Sequence, residues 1–382
     1  MIKKLQVNQF TLFKKESFSF GEKINVFIGE NGAGKTQILK LLYASEKLFL
    51  SSQHITEIFR KHVSVPSEEW EAFKAVFKTE NLYDLVNLDY RNKHARTIEN
   101  ERLAAIQEAN GEEDPYEFAH GPRSVFMLSN GKEQIQYGIR LNASRLELDN
   151  TDASNTRSAR FAGLAQEVLF LPARELLTIY PNYQSLSKRY HLPYDQTYDD
   201  TIAALGLPYQ KEESKEYASI VSMLEKAIGG KIFLRNEQFY FHPDDAKDGQ
   251  DLDINLTAEG WRKLGTVLQL LKNGGLHAGM VLFWDEPEAN LNPRLIRLIA
   301  RVIINLSHLD IQVFLTTHSL FLLREIDILT KSEMPSGQNE VRYFNFIGKG
   351  KVEQGSTPEE LGSILLLDES LEQSARFLKL ED

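Results

Sequence analysis

Apolar and polar positions alternate in two different ways along this chain, and the switch between them predicts its elements. Ile24 to Ile28 is an apolar run, the pattern of a buried strand, and beyond it Ile38, Leu39, Leu41 and Leu42 return at helical spacing. Upstream, Lys3 to Phe10 and Ser17 to Phe20 read as two more strands joined by short polar turns. The last third repeats the alternation: strand Leu252 to Leu256, helix Thr257 to Lys272, strand Met280 to Trp284, helix Pro293 to Leu306, strand Gln312 to Leu315, helix Leu320 to Ile328, strand Val341 to Phe346. Strands alternating with helices predict an α/β fold with a mostly parallel sheet covered by helices.

The middle of the chain reads differently. From Ala44 to about Glu117 the pattern is helical and charged, with Trp70 to Phe77 and Asn100 to Ala109 as its clearest parts. Ser124 to Leu128, Gln134 to Arg140 and Arg145 to Leu148 predict an antiparallel patch, since Asn130-Gly131 is a hairpin turn signal. A polar break from Asp149 to Arg160 comes next, then a short apolar strand, Glu167 to Leu171, stopped by Pro172. Leu176 to Ile228 is a second helical stretch broken at Pro193 and Pro208, and Lys231 to Leu234 with Gln238 to Phe241 predicts another hairpin before an acidic loop, Pro243 to Asp251. The expected organisation is a head formed by 1–45 and 250–350, split by an insertion at 46–249, with a helical tail at 351–382. The insertion, mostly helical with antiparallel hairpins, is the candidate partner-binding part.

Composition narrows the chemistry. No cysteine is present among the 382 residues, which excludes disulfides, zinc-thiolate sites, iron–sulfur clusters and thiol nucleophiles together. With 54 acidic and 44 basic residues the net charge is −10, which argues against a general grip on nucleic acid while allowing a local basic groove. The charged start Met1-Ile2-Lys3-Lys4 has no secretory core, and no apolar run is long enough to span a membrane, so a cytoplasmic protein is expected.

Between the strand at Ile24 and the helix at Ile38 stands Gly29-Glu30-Asn31-Gly32-Ala33-Gly34-Lys35-Thr36, with Gln37 after it. A glycine-rich loop between strand and helix aims backbone N–H groups and a helix N-terminus at one point, which suits a phosphate. Glycines permit close backbone approach, Lys35 reaches the β- and γ-phosphates, and the Thr36 hydroxyl can hold Mg²⁺. Val281-Leu282-Phe283-Trp284-Asp285-Glu286 has the form of a buried strand ending in two acids. At a sheet edge beside a phosphate loop, Asp285 is the candidate Mg²⁺ ligand, and Glu286 the candidate base for the water that attacks a γ-phosphate. Phe314-Leu315-Thr316-Thr317-His318 repeats that form, and an imidazole there can hydrogen-bond the γ-phosphate.

Taken in order, the loop from Gly29 to Thr36, the Asp285-Glu286 pair and His318 resemble the ATP-binding cassette superfamily. The run from Asp285 to Pro293 looks like its soluble branch of RecF, SMC and OLD-type ATPases. The resemblance covers about 1–45 and 250–330 and implies a P-loop NTPase head with a mixed sheet. It implies ATP and Mg²⁺ as cofactors, a homodimer that sandwiches ATP between two heads, and a signature motif on each head that completes the other's site. Thr257-Ala258-Glu259-Gly260-Trp261-Arg262-Lys263-Leu264 is the candidate motif, with Thr257, Glu259 and Gly260 toward nucleotide and Ala258 where the family usually has serine. The resemblance also implies a lid-loop glutamine; Gln166 precedes the strand at 167–171, and Arg174 and Glu175, which come after it, are the alternatives. Asn290 falls where the family's dimer-bridging loop would be.

The middle lacks the heptads of SMC arms, and the segment after Phe346 is too short for the nuclease domain of the OLD type. A regulatory ATPase is therefore expected, one that dimerises on ATP and controls a separately encoded nuclease or toxin, as in prokaryotic phage-defence and toxin–antitoxin pairs of this branch. The alternative is a RecF-like clamp that closes on DNA, with Arg91, Lys93, Arg96, Arg157 and Arg160 as candidate phosphate contacts.

Overall fold

The computed structural model describes residues 1–51, 63–64, 75–78, 123–129, 134–140, 146–148, 166–190, 192–209, 215–247, 249–334 and 340–380. In chain order the described elements are β1 (Lys4–Phe10), β2 (Phe13–Ser19), β3 (Ile24–Gly29), α1 (Lys35–Ser51), β4 (Val63–Ser64), β5 (Arg123–Ser129), β6 (Gln134–Arg140), β7 (Leu146–Leu148) and β8 (Val168–Leu171). They continue with α2 (Tyr183–Arg189), α3 (Gln196–Leu205), α4 (Ala218–Ile228), β9 (Gly230–Arg235), β10 (Gln238–Pro243), β11 (Leu252–Asp253), α5 (Glu259–Asn273) and β12 (Val281–Trp284). The last are α6 (Pro293–His308), β13 (Gln312–Thr317), α7 (Leu320–Glu333), β14 (Val341–Phe346), β15 (Val352–Gly355) and α8 (Leu365–Leu378). Most of the expected helical stretch at 44–117, the turn at Asn130-Gly131, the polar break and all five basic candidates lie outside the described residues.

The chain divides into two compact units. One comprises Met1–Phe20, Glu30–Ala165 and Asn345–Gln354; the other comprises Gly21–Gly29, Gln166–Phe344 and Gly355–Asp382. The expected head boundary at residue 250 and this division differ. Residues 166–249 pack with the parallel sheet because β8 pairs residue by residue with β12, Val168 opposite Val281 through Leu171 opposite Trp284.

In the first unit, a sheet of order β2-β1-β5-β6-β7-β4 is antiparallel at its described pairs. β2 starts at Phe13, earlier than the expected Ser17, because a two-residue turn at Thr11-Leu12 sets Phe10 opposite Phe13. Phe13 then stacks edge-on with Phe18 and Phe346, ring centroids 6.2 and 6.0 Å away.

In the second unit, β3, β13, β12 and β8 are parallel neighbours in that order, with β14 beside β3. Every residue of β3, β12 and β13 is buried, as expected for strands covered on both faces. Polar Asn25 is tolerated in β3 because its amide bonds both the N–H and the C=O of Gly21, at 2.8 and 3.1 Å. The amphipathic helices α5, α6 and α7 supply Leu264, Leu268, Ile299, Ile303, Leu322 and Ile326 to one continuous core. β9 and β10 form the expected hairpin, with Asn236 and Glu237 both at positive φ as a two-residue turn of that hand requires.

The expected strand over 252–256 ends at Asp253. The Asp253 carboxylate accepts the Asn255 N–H at 2.8 Å, turning the chain into one 3₁₀ turn over Ile254–Leu256. The Thr257 hydroxyl then donates to the Ile254 carbonyl, so α5 begins two residues later than expected, behind an Ala258 that has no side chain to cap it.

Candidate functional site

Parallel pairing puts the C-terminal ends of β3, β13, β12 and β8 on one edge of the sheet, since Thr317 lies opposite Ile28 and Leu315 opposite Trp284, which lies opposite Leu171. Gly29, Asp285, Thr316 to His318 and Pro172 therefore leave the sheet on the same side. Ligands of open α/β sheets bind at that edge. Gln166 stands at the opposite edge, ahead of β8, so of the three lid candidates only Arg174 and Glu175 come after a strand that ends at the site.

Asp285 and Glu286 are wired to β13. The Thr316 hydroxyl donates to Asp285 Oδ1 at 2.6 Å and accepts the Glu286 N–H at 3.0 Å. Glu286 has a φ of +43°, a conformation that costs a non-glycine residue about 1 kcal/mol and persists where its surroundings hold it. Lys263 is the other hold, its ammonium donating to the carbonyls of Glu286 at 2.7 Å and Ala289 at 3.3 Å. The Glu286 carboxylate is partly exposed, 3.3 Å from His318 Nε2.

Behind them lies Glu288, buried, accepting the Thr317 hydroxyl at 2.6 Å and the His318 N–H at 2.9 Å. Burial raises its pKa, an effect eased by those two donors and by Lys263. Burial pushes the Lys263 ammonium down to about 8, against the upward pull of Glu288, Glu286, Glu259 and Asp285. Burial, together with the charges of Asp195 and Asp285 and against that of Arg174, takes the Tyr198 hydroxyl of α3 up to about 12.

Lys263 makes stability depend on pH. Its folded pKa lies below its ordinary value of 10.5, so the unfolded chain binds more protons between about pH 8 and 10.5, and the fold gains stability as pH rises through that window. Lys263→Met should remove this rise, seen as a flatter plot of urea midpoint against pH.

The candidate signature motif forms the start of α5. The Glu259 carboxylate accepts the Asn290 amide at 2.7 Å. Gly260 packs closely under α6, where a Cβ would meet Leu295 Cδ1 at 2.9 Å and displace that side chain. Thr257 turns its hydroxyl inward to Ile254, and its carbonyl accepts the Arg262 guanidinium. Arg262 also pairs with Glu175 at 3.2 Å, while Glu175 receives the N–H groups of Leu177 and Thr178. Glu175 is thus engaged by its own loop and by α5.

The phosphate loop is built in the first unit. Gly32 and Gly34 have φ of +75° and +96°, and a Cβ on Gly34 would come within 2.8 Å of the Phe13 ring. Lys35 is buried and arches over the loop to donate to the Glu30 carbonyl at 2.8 Å, while the Ala33 N–H closes the turn onto the same oxygen. Ile38 donates to Gly34, so helical bonding begins inside the loop and Lys35 and Thr36 occupy its first turn. Asn31 and Gly32 are exposed, Thr36 and Gln37 half-buried. The Gln37 side-chain oxygen is buried without a hydrogen-bond donor among the described residues.

Sequence reasoning did not assign Lys263, Thr316, Thr317 or Glu288. Each stands inside a chemistry-bearing motif, but its role comes from partners 29 to 31 residues away for the threonines and 23 to 26 for Lys263.

A strand–loop–helix turn with the glycines of a phosphate cradle and a parallel sheet with paired acids on its ligand-binding edge are the parts of a P-loop NTPase fold. The chain belongs to the family described as "AAA domain, putative AbiEii toxin, Type IV TA system", which matches residues 24–324. Among solved structures it is similar to an Smc head bound to the C-winged helix domain of ScpA, at 12% identity over 94% of this chain and 98% of that one, TM-score 0.50. It is also similar to the SMC head domain from Thermotoga maritima, at 12% identity over 92% and 97%, TM-score 0.46. A curated relative, the DNA replication and repair protein RecF of Shouchella clausii, is 39% identical over 57 residues, which is 15% of this chain and 14% of that protein. Among the described residues no helix is long and apolar enough to cross a membrane.

Proposed function

We propose that the chain binds ATP with Mg²⁺, hydrolyses it, and uses the cycle to control a separately encoded effector. The observation that carries the reading is the double hold on Glu286. Its N–H is fixed to the hydroxyl that also fixes Asp285, and its carbonyl is fixed by a lysine of α5, the helix that opens with the candidate signature. A base held on both sides is positioned in advance of reaction.

In this reading Asn31 to Gln37 cradle the phosphates, with the ammonium of Lys35 shifting from Glu30 to phosphate oxygens. Asp285 and the Thr36 hydroxyl are the residues that would hold Mg²⁺; hard oxygen ligands of this type suit that ion, which would supply charge neutralisation at the phosphates. Glu286 takes a proton from water as its oxygen bonds the γ-phosphorus and the bond to the β-phosphate oxygen breaks. His318 hydrogen-bonds the γ-phosphate, and Thr257, Glu259 and Gly260 face the nucleotide of a second copy. The insertion at 46–249 contains the partner surface, and the protein works in the cytoplasm.

The family's toxin–antitoxin description supports an effector over a solitary enzyme. The short match to a DNA repair protein favours the second reading, an ATP-closed clamp on DNA. Native mass spectrometry of the protein purified with its neighbouring genes intact, with and without ATP·Mg²⁺, separates them. A second protein at fixed stoichiometry is expected; an ATP-dependent dimer carrying only nucleic acid would replace this reading with the clamp.

A further inference from the structure

The second unit carries a groove of about 710 Å³ between α4, the start of α5, α6 and α7. Its floor is apolar, made by Met223, Trp261, Leu295 and Leu298. Its rim is basic: Lys226, Arg294, Arg297 and Arg301 against a single lining acid, Glu325. Arg297 and Arg301 are paired, with Glu325 and Glu333, whereas Lys226 and Arg294 have no ion-pair partner among the described residues. Arg294 sits in the first turn of α6, where the helix dipole disfavours a cation and no acidic residue offsets it. That placement strengthens a positive field at the groove and weakens the helix.

The same unit carries a helix of the complementary kind. α8 buries none of its residues, and Leu371, Phe377 and Leu378 are each about 60% exposed. Leu366 and Leu367 pack on the core, whereas Leu371 and Leu378 fall at i and i+7, one exposed apolar stripe, bordered by Asp368 and by Glu372, which lies 3.9 Å from Arg376, with Glu381-Asp382 beyond Leu380 in the sequence. From Leu371 onward every described residue is exposed, so the last turns of α8 stand clear of the chain that bears them. Fourteen residues held to the core only near their start, by Leu366 and Leu367, make a marginal helix in water, and a covered stripe supplies what local propensity does not.

We propose that α8 of a second copy docks its leucine stripe in this groove, carboxylates toward Lys226 and Arg294, and that reciprocal exchange closes a two-fold dimer without nucleotide. An apolar floor under a basic rim fits an acidic amphipathic helix; nucleic acid would leave the floor uncovered. The docking is read without nucleotide, so a failed ATPase assay does not touch it.

The absence of cysteine provides a direct test. Leu378→Cys and Met223→Cys are prepared as separate full-length variants, both at positions that are not buried, mixed without nucleotide and oxidised. A cross-linked heterodimer exceeding what either variant gives alone is expected. A cross-link formed only within a chain carrying both substitutions would assign the groove to the same chain's tail, and no cross-link would assign it to another protein; either result overturns the proposal. Sedimentation velocity adds a second readout. Arg294→Glu should weaken the nucleotide-free dimer about tenfold or more, and Glu372→Lys in the same chain should recover part of that loss; an unchanged dimer in Arg294→Glu would also overturn it.

Discussion

Glu286→Gln should bind ATP as the parent does and hydrolyse it about 10² to 10⁴ times more slowly, the range by which a positioned general base contributes. The substitution keeps size and backbone, so the N–H bond to Thr316 and the Lys263 contact to the carbonyl survive. The positive φ is held by those two contacts and not by the carboxylate, so the loop should keep its shape. What disappears is the proton acceptor. Fluorescent-nucleotide titration should therefore give an unchanged affinity, phosphate release should collapse, and ATP-bound dimers should accumulate in size-exclusion chromatography. Parental turnover in this variant would remove Glu286 from the chemistry and leave it as a bent strand end.

Lys35→Ala should lose nucleotide instead. Lys35 is 4% exposed, and its ammonium donates to the Glu30 carbonyl. Charge-assisted hydrogen bonds to phosphate oxygens are each worth about 1.5–3 kcal/mol, so losing them should weaken ATP binding by about 10² to 10³-fold. Alanine is a good helix former at the start of α1, so thermal unfolding without nucleotide should shift little, and the stabilisation that ATP gives the parent should vanish. Lys35→Arg separates charge from shape, because the planar guanidinium cannot trace the arch of the ammonium. Full ATP affinity in Lys35→Ala would show that the loop is a glycine turn with another purpose.

The parallel sheet was readable because β3, β12 and β13 are buried on both faces and so stand out as mainly apolar runs at 24–28, 280–284 and 312–315, with Asn25 and Gln312 as the buried polar exceptions. β8 was equally readable as a strand, but its four residues carry no sign of which sheet they join; only the pairing with β12 reveals that 166–249 packs with the second unit. Asp253 defeated the strand expected over 252–256 because a short carboxylate competes for backbone N–H groups at a range that apolar periodicity does not sense. Lys263 is the sharpest case. A lysine on an amphipathic helix normally marks the solvated face, whereas here it is 5% exposed and points at two carbonyls that the fold brings from more than twenty residues away. The glycine-rich loop, by contrast, is local in sequence, and its place between β3 and α1 and the positive φ of its glycines were legible without tertiary knowledge.

Thr316 carries a consequence of its own. A hydroxyl has one proton, and this one is spent on Asp285, so toward residue 286 the oxygen can only accept. Hydrogen bonds chained through a shared atom polarise one another, and the direction of this chain is fixed. A change in electron density at the carboxylate of residue 285 is therefore felt at the amide of residue 286 through a single shared oxygen. The carboxylate of one residue and the backbone of the next are thereby coupled through the place where one proton resides.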